Sequence, residues 1–257
     1  MDIKKYAPTK RFSNRAKLYS QARPAYPASL LDYLCSECKL SQGDKVADIG
    51  AGTGISSRAL ADRGLLVTAV EPNEAMLEEA RSYEEFKDRI RFVQASAEHT
   101  ELPPESFAAV VCAQAFHWFE AEKALAEFHR LLKSAGHLAL IWNERDESDQ
   151  FTSEYGDLLR TLPDTSVLEV KRGTAGELIF DSPLFSNAKL SFFENEQILD
   201  REKFISRALS ASYAPAPDSP QATRFREELG NVFERFQHDG LACIKYKSSV
   251  YSAEKRD

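Results

Sequence analysis

The chain has 257 residues, a net charge of -7, 43% hydrophobic residues and 28% charged residues, which are ordinary values for a soluble globular protein. This composition excludes a disordered, collagenous or fibrous chain, and the acidic balance argues against nucleic acid, because domains that contact phosphates are usually basic. No run approaches the roughly 20 apolar residues of a membrane helix, and the polar start lacks the apolar core of a signal peptide. We therefore expect a cytoplasmic protein with neither a membrane nor a nucleic-acid partner.

Four cysteines occur in the chain, at positions 35, 38, 112 and 243. Cys35 and Cys38 form one Cys-x-x-Cys pair, but a structural zinc site needs four ligands at paired spacings, and no second pair follows. We therefore predict no metal site. Cysteines without a disulfide pattern in a chain of this size also favour a reducing compartment.

Strands and helices alternate through the first 142 residues. The segment 65–70 is a continuous apolar run, which is typical of a strand buried on both faces, and Asn73 is a suitable cap for the helix that follows. Further strands are predicted at 45–49, 90–95, 107–113 and 137–142. Helical spacing predicts the other helices from Pro27, over 55–63 and over 120–133.

The alternation stops after Trp142. Strands are predicted at 189–199 and 241–251, helices over 151–162 and after the caps Asp200 and Ser219, a loop or lid over 163–176 and a connection over 213–220. The last helix carries an apolar stripe that we assign to the core: Phe225, Leu229, Val232, Phe233 and Phe236.

This order predicts an α/β fold with a doubly wound, Rossmann-like parallel sheet, an antiparallel C-terminal edge hairpin and a helical cap. We expect a single domain over 1–257. Its predicted parts are an N-terminal arm over the site (1–26), a cofactor-binding core (27–143), a cap or insert with one strand (144–240), and the last strand with the tail (241–257).

A glycine-rich loop follows the first predicted strand. Residues 48–54 read Asp-Ile-Gly-Ala-Gly-Thr-Gly, and glycines there let the backbone turn tightly and let a ligand approach the main chain. Glu71 ends the second strand, 21 positions after Gly50, where an acidic side chain accepts both hydroxyls of a ribose. Singly, Asp48 could cap the helix start and Glu71 could be a solvated strand end. Their joint occurrence predicts a nucleoside site.

The spacing of the glycines distinguishes between two nucleoside ligands. A dinucleotide fingerprint, Gly-x-Gly-x-x-Gly, would place its third glycine where this chain has Ile55. A pyrophosphate at the helix start is also disfavoured by a nearby carboxylate, here Asp48. A zwitterionic or cationic ligand is not disfavoured by this carboxylate. S-adenosylmethionine is such a ligand, so the loop favours S-adenosylmethionine over NAD.

Several segments resemble the class I S-adenosylmethionine-dependent methyltransferases, with high specificity from Tyr19 to Trp142 and more loosely to the C-terminus. The segments that carry this likeness are 48–54, 70–76, 92–98 and 102–107. Residues 19–27 and 114–119 are similar to the type 11 small-molecule group, which includes trans-aconitate methyltransferase-like proteins. The resemblance implies S-adenosylmethionine as cofactor and S-adenosylhomocysteine as product.

The resemblance also implies which residues bind the cofactor. The glycine loop would hold the methionine part, Asp48 would orient its ammonium, and Glu71 would bind the ribose. Many relatives carry an aspartate where this chain has Ser96, so the contact of Ser96 with the adenine would be weaker. The implied cofactor set is Tyr19, Arg23, Asp48, Gly50, Ala51, Gly52, Thr53, Gly54, Glu71, Pro72, Asn73, Met76, Ser96, Ala97 and Gln114.

Acceptor residues are expected beyond the carboxyl ends of the strands. His117 follows the fourth strand and is the candidate base or orienting group, because its ordinary pKa lies near 6.5; alternatively it bonds a backbone carbonyl and shapes the turn. Arg23 could pair with the cofactor's carboxylate, with an anionic acceptor or with neither. Candidate acceptor contacts are Tyr26, Phe116, Trp118, Arg172 and Tyr213.

We therefore predict a methyltransferase that acts on a small molecule, with a carboxylate as candidate acceptor, and that is a monomer or homodimer. A non-catalytic cofactor-binding regulator and a nicotinamide oxidoreductase are the rival hypotheses. Methylation of nucleic-acid amino groups is disfavoured, because residues 114–117 read Gln-Ala-Phe-His rather than Asn/Asp-Pro-Pro-aromatic.

Overall fold

The computed structural model describes residues 16–163, 165–211, 213–216 and 218–257. Residues 1–15 of the predicted arm, and residues 164 and 217 of two predicted connections, lie outside these ranges. Within them, seven strands form one sheet in the order β3-β2-β1-β4-β5-β7-β6. The strands are β1 (Lys45–Ile49), β2 (Leu66–Val70), β3 (Ile90–Val93), β4 (Phe107–Ala113), β5 (Leu132–Arg145), β6 (Phe185–Leu199) and β7 (Ala242–Lys255).

The first five strands are parallel, and β7 inserts between β5 and β6 antiparallel to both. This topology confirms the predicted fold class, including the antiparallel edge pair. The helices are α1 (Ala16–Ala22), α2 (Ala28–Glu37), α3 (Ile55–Ala61), α4 (Glu74–Arg81), α5 (Ala121–Leu131), α6 (Gln150–Arg160), α7 (Thr165–Ala175), α8 (Arg201–Leu209) and α9 (Pro220–Phe236).

Side-chain caps begin several helices where the sequence predicts them. Asn73 accepts a hydrogen bond from the backbone N–H of Met76 at 3.2 Å and begins α4. Asp200 accepts from Lys203 at 2.8 Å, and Ser219 accepts from Ala222 at 3.1 Å. Each cap satisfies a backbone donor that the first helical turn leaves without an intrahelical partner.

Alternate residues of the buried strands face opposite sides of the sheet, so each side has its own core. Ala47 of β1 belongs to the cluster that packs α5 through Phe128. Its neighbour Val46 belongs to the cluster that packs α2 and α3 through Leu30 and Leu60. A third cluster joins the C-terminal helices, and it includes four residues of the predicted stripe in α9, which are Phe225, Leu229, Val232 and Phe233.

One prediction is wrong in this region. Residues 163–176 were expected to form a loop or lid, but α7 occupies Thr165–Ala175. Pro163 and Gly176 favoured the loop, although a proline before a helix and a glycine near its end are ordinary boundary residues. None of the helices in the described ranges combines the length and apolarity that a membrane crossing requires.

Candidate functional site

A cavity of about 1190 Å³ opens at the carboxyl ends of the parallel strands. Its walls include Gly50 after β1, Glu71 after β2, Gln114 after β4 and Asn143 near the end of β5. Helix α1 contributes residues to the wall, as do α7 and α8. The strand order reverses between β1 and β4, so this is the edge at which open α/β sheets bind their ligands.

The glycine loop forms one wall through its backbone conformation. Gly50 has φ of +75°, and a Cβ atom there would lie 2.5 Å from Ala115 Cβ and 2.9 Å from Phe119 Cζ. The N–H groups of Gly50 and Ala51 donate to the carbonyl of Val70 at 2.8 and 3.0 Å, which draws the loop over the end of β2. Residues 50–53 all line the cavity.

Asp48 lies beneath this loop, fully buried, and does not line the cavity. Its Oδ2 accepts hydrogen bonds from the hydroxyls of Ser56 and Ser57, at 2.7 and 2.6 Å. Its Oδ1 has no hydrogen-bond partner in the structure. Burial raises the pKa of Asp48 to about 6, against the opposing effect of the two serine hydroxyls. Asp48 thus fixes the first turn of α3, and its Oδ1 remains available as a hydrogen-bond acceptor under the loop.

Glu71 lines the cavity and connects two of its loops. Its Oε2 accepts from Gly52 N–H at 3.0 Å, and its Oε1 accepts from Asn73 N–H at 3.0 Å. Burial raises the pKa of Glu71 to about 7, although these two backbone donors oppose the shift. Because an ionised carboxylate has about four acceptor sites, Glu71 can still accept two hydroxyl groups from a ligand.

Pro72, Met76, Ser96 and Ala97 line the end of the cavity that is remote from α7. These are residues that the resemblance assigns to the cofactor. Asn73 and Gly54 do not line it, because Asn73 caps α4 and Gly54, at φ +78°, precedes α3. Three charged residues at this end were not predicted from the sequence: Glu98, Glu120 and Lys123. Glu98 ends the segment 92–98 that carries the resemblance, whereas Glu120 and Lys123 belong to none of the quoted segments.

At the other end, α1 packs against α8. Tyr19 and Arg23 line the cavity, and the Arg23 guanidinium stacks on the Tyr19 ring at 4.6 Å. Gln114 has φ of +60°, and its Oε1 accepts from Arg172 at 3.4 Å. The structure also brings Tyr26, Trp118 and Arg172 to this end, so that most of the predicted residues share one cavity.

Two predicted residues of the turn after β4 face away from the cavity. Phe116 is 1% exposed and packs edge-on against Phe119. His117 is 5% exposed, and its Nδ1 accepts from Trp142 Nε1 at 3.3 Å. Burial, with smaller effects from the nearby cations of α7, lowers the pKa of His117 well below its usual value.

This orientation corrects the expectation that His117 faces the transferred methyl. Residues Phe116–Trp118 form a 3-10 turn, which directs successive side chains to different sides, and of these three only Trp118 lines the cavity. Tyr213 does not line the cavity either, and it packs against the apolar cluster of the C-terminal helices.

The largest set of lining residues that was not predicted from the sequence is charged and lies in the C-terminal half of the chain. Arg145, at the end of β5, pairs with Glu169 of α7, and Arg160 of α6 pairs with Glu147 at 2.8 Å. Arg207 of α8 lines the same wall. The group draws on residues 145–147 and on α6, α7 and α8, so no single spacing in the sequence could have grouped it. In the described residues, no group of three or more His, Cys, Asp or Glu is arranged to hold a metal ion.

The known proteins that this chain resembles are methyltransferases. The family described as "Methyltransferase domain" matches residues 47–140. An uncharacterized methyltransferase of Mycobacterium tuberculosis is 34% identical over 148 residues, which cover 58% of each chain. The match thus spans less than two thirds of that relative. An uncharacterized methyltransferase of Schizosaccharomyces pombe is 28% identical over 242 residues, covering 92% of this chain and 94% of that one.

Solved structures show the same fold at low identity. A putative type II methyltransferase from Anaeromyxobacter dehalogenans has a TM-score of 0.64 at 23% identity, covering 91% of this chain and 97% of that one. The Haemonchus contortus phosphoethanolamine N-methyltransferase 2, in complex with phosphomonomethylethanolamine and S-adenosylhomocysteine, has a TM-score of 0.56 at 16% identity. That match covers 100% of this chain and 61% of the other.

Proposed function

Because the chain belongs to the class I S-adenosylmethionine-dependent methyltransferases, we propose that it methylates a small-molecule acceptor by direct displacement at the methyl carbon. The observation that carries this proposal is the joint position of the glycine loop and Glu71 on one cavity that continues past Gln114 to Trp118 and Arg172. One part of this cavity suits the cofactor, and the rest suits an acceptor.

The residues of the cavity fit S-adenosylmethionine. Glu71 has acceptor capacity for the ribose hydroxyls, and the loop over 50–53 offers main-chain contacts to the methionine part. The Arg23 guanidinium has a buried Nε without a hydrogen-bond partner, which suits the carboxylate of the same ligand. Ser96 and Ala97 are available to the adenine edge.

The same residues are a poor fit for a dinucleotide. Ile55 lines the cavity at the position of the third fingerprint glycine, so a β-branched side chain stands where a pyrophosphate would approach the helix. The carboxylate of Asp48 lies directly beneath the loop and would repel the phosphates. These two features weigh against the nicotinamide oxidoreductase.

When bound, S-adenosylmethionine supplies an electrophilic methyl carbon on a positively charged sulfur, so the acceptor's nucleophile needs alignment more than activation. Tyr26 and Trp118 line the acceptor end, where their rings would help to exclude water once the ligands are bound. None of the histidines in the described ranges lines the cavity. The most common general base is thus missing from the described lining, which favours a nucleophile that is already ionised at neutral pH, and a carboxylate meets this condition.

The rival hypothesis, a non-catalytic regulator, predicts a cavity without space beside the cofactor's methyl. The cavity extends to α7 and α8, which argues for an acceptor. We further propose the division into arm, core and cap that the sequence predicts. A cytoplasmic location is proposed from the four free cysteines, and the monomer or homodimer stays a prediction.

The test is the formation of S-adenosylhomocysteine when the purified protein is incubated with S-adenosylmethionine and a panel of small carboxylic acids. We expect turnover that requires one of the acids and that falls sharply in Glu71→Ala. Glu78→Ala is the matched control, because Glu78 lies exposed on α4. Tight cofactor binding without turnover for any small molecule would favour the regulator instead.

A further inference from the structure

Three guanidinium groups line the acceptor end of the cavity without an acidic partner. They belong to Arg23 of α1, Arg172 of α7 and Arg207 of α8. Among the residues that the structure describes, none of the three has a carboxylate oxygen within 4.0 Å, whereas Arg145 and Arg160 on the same wall are paired. None of these three guanidinium groups is therefore ion-paired with a described carboxylate, although Glu144 acts on Arg172 from a longer distance.

The contacts of these arginines are all with neutral groups. Arg172 donates to the carbonyl of Asn143 at 3.1 Å and to Gln114 at 3.4 Å, and its Nε has no hydrogen-bond partner. Arg207 is 7% exposed and donates through Nε to the Tyr246 hydroxyl at 3.3 Å. Arg23 donates to a carbonyl at 3.4 Å, and its Nε also lacks a partner.

A buried cation without a counter-charge is costly, so this arrangement calls for an anion. Burial and the charge of Arg207 both lower the pKa of Arg23, which shows that the guanidinium groups repel one another. Glu147 and Glu169 are already engaged by Arg145 and Arg160, and Glu144 is not within 4.0 Å of Arg172. An anionic ligand would supply the ion pair that no described side chain makes with Arg172 or Arg207.

We propose that Arg172 and Arg207 form a subsite for the acceptor, and that the acceptor is a small dianion. This inference rests on the proposed function, in which Arg23 matches the cofactor's carboxylate and the other two guanidiniums are left for the acceptor. A guanidinium binds a carboxylate or a phosphate through two parallel hydrogen bonds. The shared chemistry is thus two negative charges, carried either by two carboxylates or by one phosphomonoester.

The test compares ligands that differ only in charge. Succinate, monomethyl succinate and dimethyl succinate have the same carbon skeleton and carry two, one and no carboxylates, and glycerol 2-phosphate represents the phosphomonoesters. Each is titrated calorimetrically into the full chain, with and without S-adenosylhomocysteine. We expect a dianion to bind about ten- to a hundredfold more tightly than the monoester, because hydrogen bonds to charged groups are strong.

Preference for succinate would identify carboxylates as the source of the charge, and preference for glycerol 2-phosphate would identify a phosphate. Both results support the subsite. Equal affinity for succinate and its two esters, or no saturable binding of either dianion, would overturn it.

Substitutions at Arg172 and Arg207 test whether the dianion binds at these two residues. Arg172→Met and Arg207→Met should each weaken dianion binding about tenfold or more, and the lysine variants should lose less, because they keep the charge. Arg235→Met is the matched control, since Arg235 is exposed on α9 and pairs with Glu154. Unchanged dianion affinity in both methionine variants would contradict the assignment.

S-adenosylhomocysteine is titrated into every variant. Its binding shows that the variant is folded, and it separates the two proposals. If it binds while the dianions show no preference, the subsite fails and the methyltransferase proposal stands. If it does not bind to the unmodified chain, the proposed function fails.

Discussion

Replacement of Gly50 by alanine tests how tightly the glycine loop is packed against the rest of the site. The φ of +75° costs an L-residue about 1–2 kcal/mol. The added Cβ would also lie 2.5 Å from Ala115 Cβ and 2.9 Å from Phe119 Cζ, and such overpacking typically costs about 1–3 kcal/mol. We therefore expect Gly50→Ala to lower the free energy of unfolding by about 2–5 kcal/mol.

Gly43→Ala is the matched control for this variant. Gly43 also has a positive φ, +90°, but a Cβ there meets nothing within 4 Å. Its substitution should cost only the backbone strain, about 1–2 kcal/mol, less a small gain from the stiffer unfolded chain. Urea unfolding of the three proteins without ligand gives both differences from the transition midpoints, provided that the slopes agree.

Equal loss of stability in the two alanine variants would contradict this expectation. That result would mean that the loop moves away from Ala115 and Phe119 without penalty. The loop would then not be a rigid wall of the cavity.

Three further predictions concern single side chains. Asn73→Ala should lower the free energy of unfolding by about 1 kcal/mol in urea, because the Met76 N–H loses its cap; an unchanged midpoint would contradict the capping role. Burial raises the pKa of Glu71 from 4.5 to about 7, so between these pH values the folded chain retains a proton that the unfolded chain releases. The ligand-free protein should therefore lose stability as the pH rises from 4.5 to about 7. Glu71→Gln should remove that part of the slope in a pH series of melts, and an identical slope would refute the pKa shift. His117→Asn should reduce kcat by far less than the roughly hundredfold that loss of a general base costs, because the ring faces Trp142; a larger loss would restore His117 as a base.

Local sequence patterns predicted most of the fold. The caps Asn73, Asp200 and Ser219 each need only a side chain and a backbone donor three residues ahead, so they can be recognised without tertiary information. The strands of the parallel core are buried on both faces, and their apolar runs stand out. Helix α7 was missed because Pro163 and Gly176 mark helix boundaries and loops equally well.

The residues of the cavity could be predicted where they belong to a sequence motif, and not elsewhere. The loop over 48–54 and Glu71 have a fixed spacing, because one strand, one turn and one helix separate them. The arginines have no such spacing, since α7 and α8 bring Arg172 and Arg207 together from distant segments. The turn after β4 shows a further limit: a residue's place after a strand does not give its direction, and His117 is buried against Trp142 instead of lining the cavity.

The central claim is that this cavity binds S-adenosylmethionine and not a dinucleotide. Calorimetric titration of the purified chain with S-adenosylmethionine, S-adenosylhomocysteine and NAD tests it directly, with Glu71→Ala and the control Glu78→Ala alongside. We predict micromolar binding of the two adenosyl ligands that weakens in Glu71→Ala only, and no binding of NAD. NAD binding without binding of the adenosyl ligands would contradict the account.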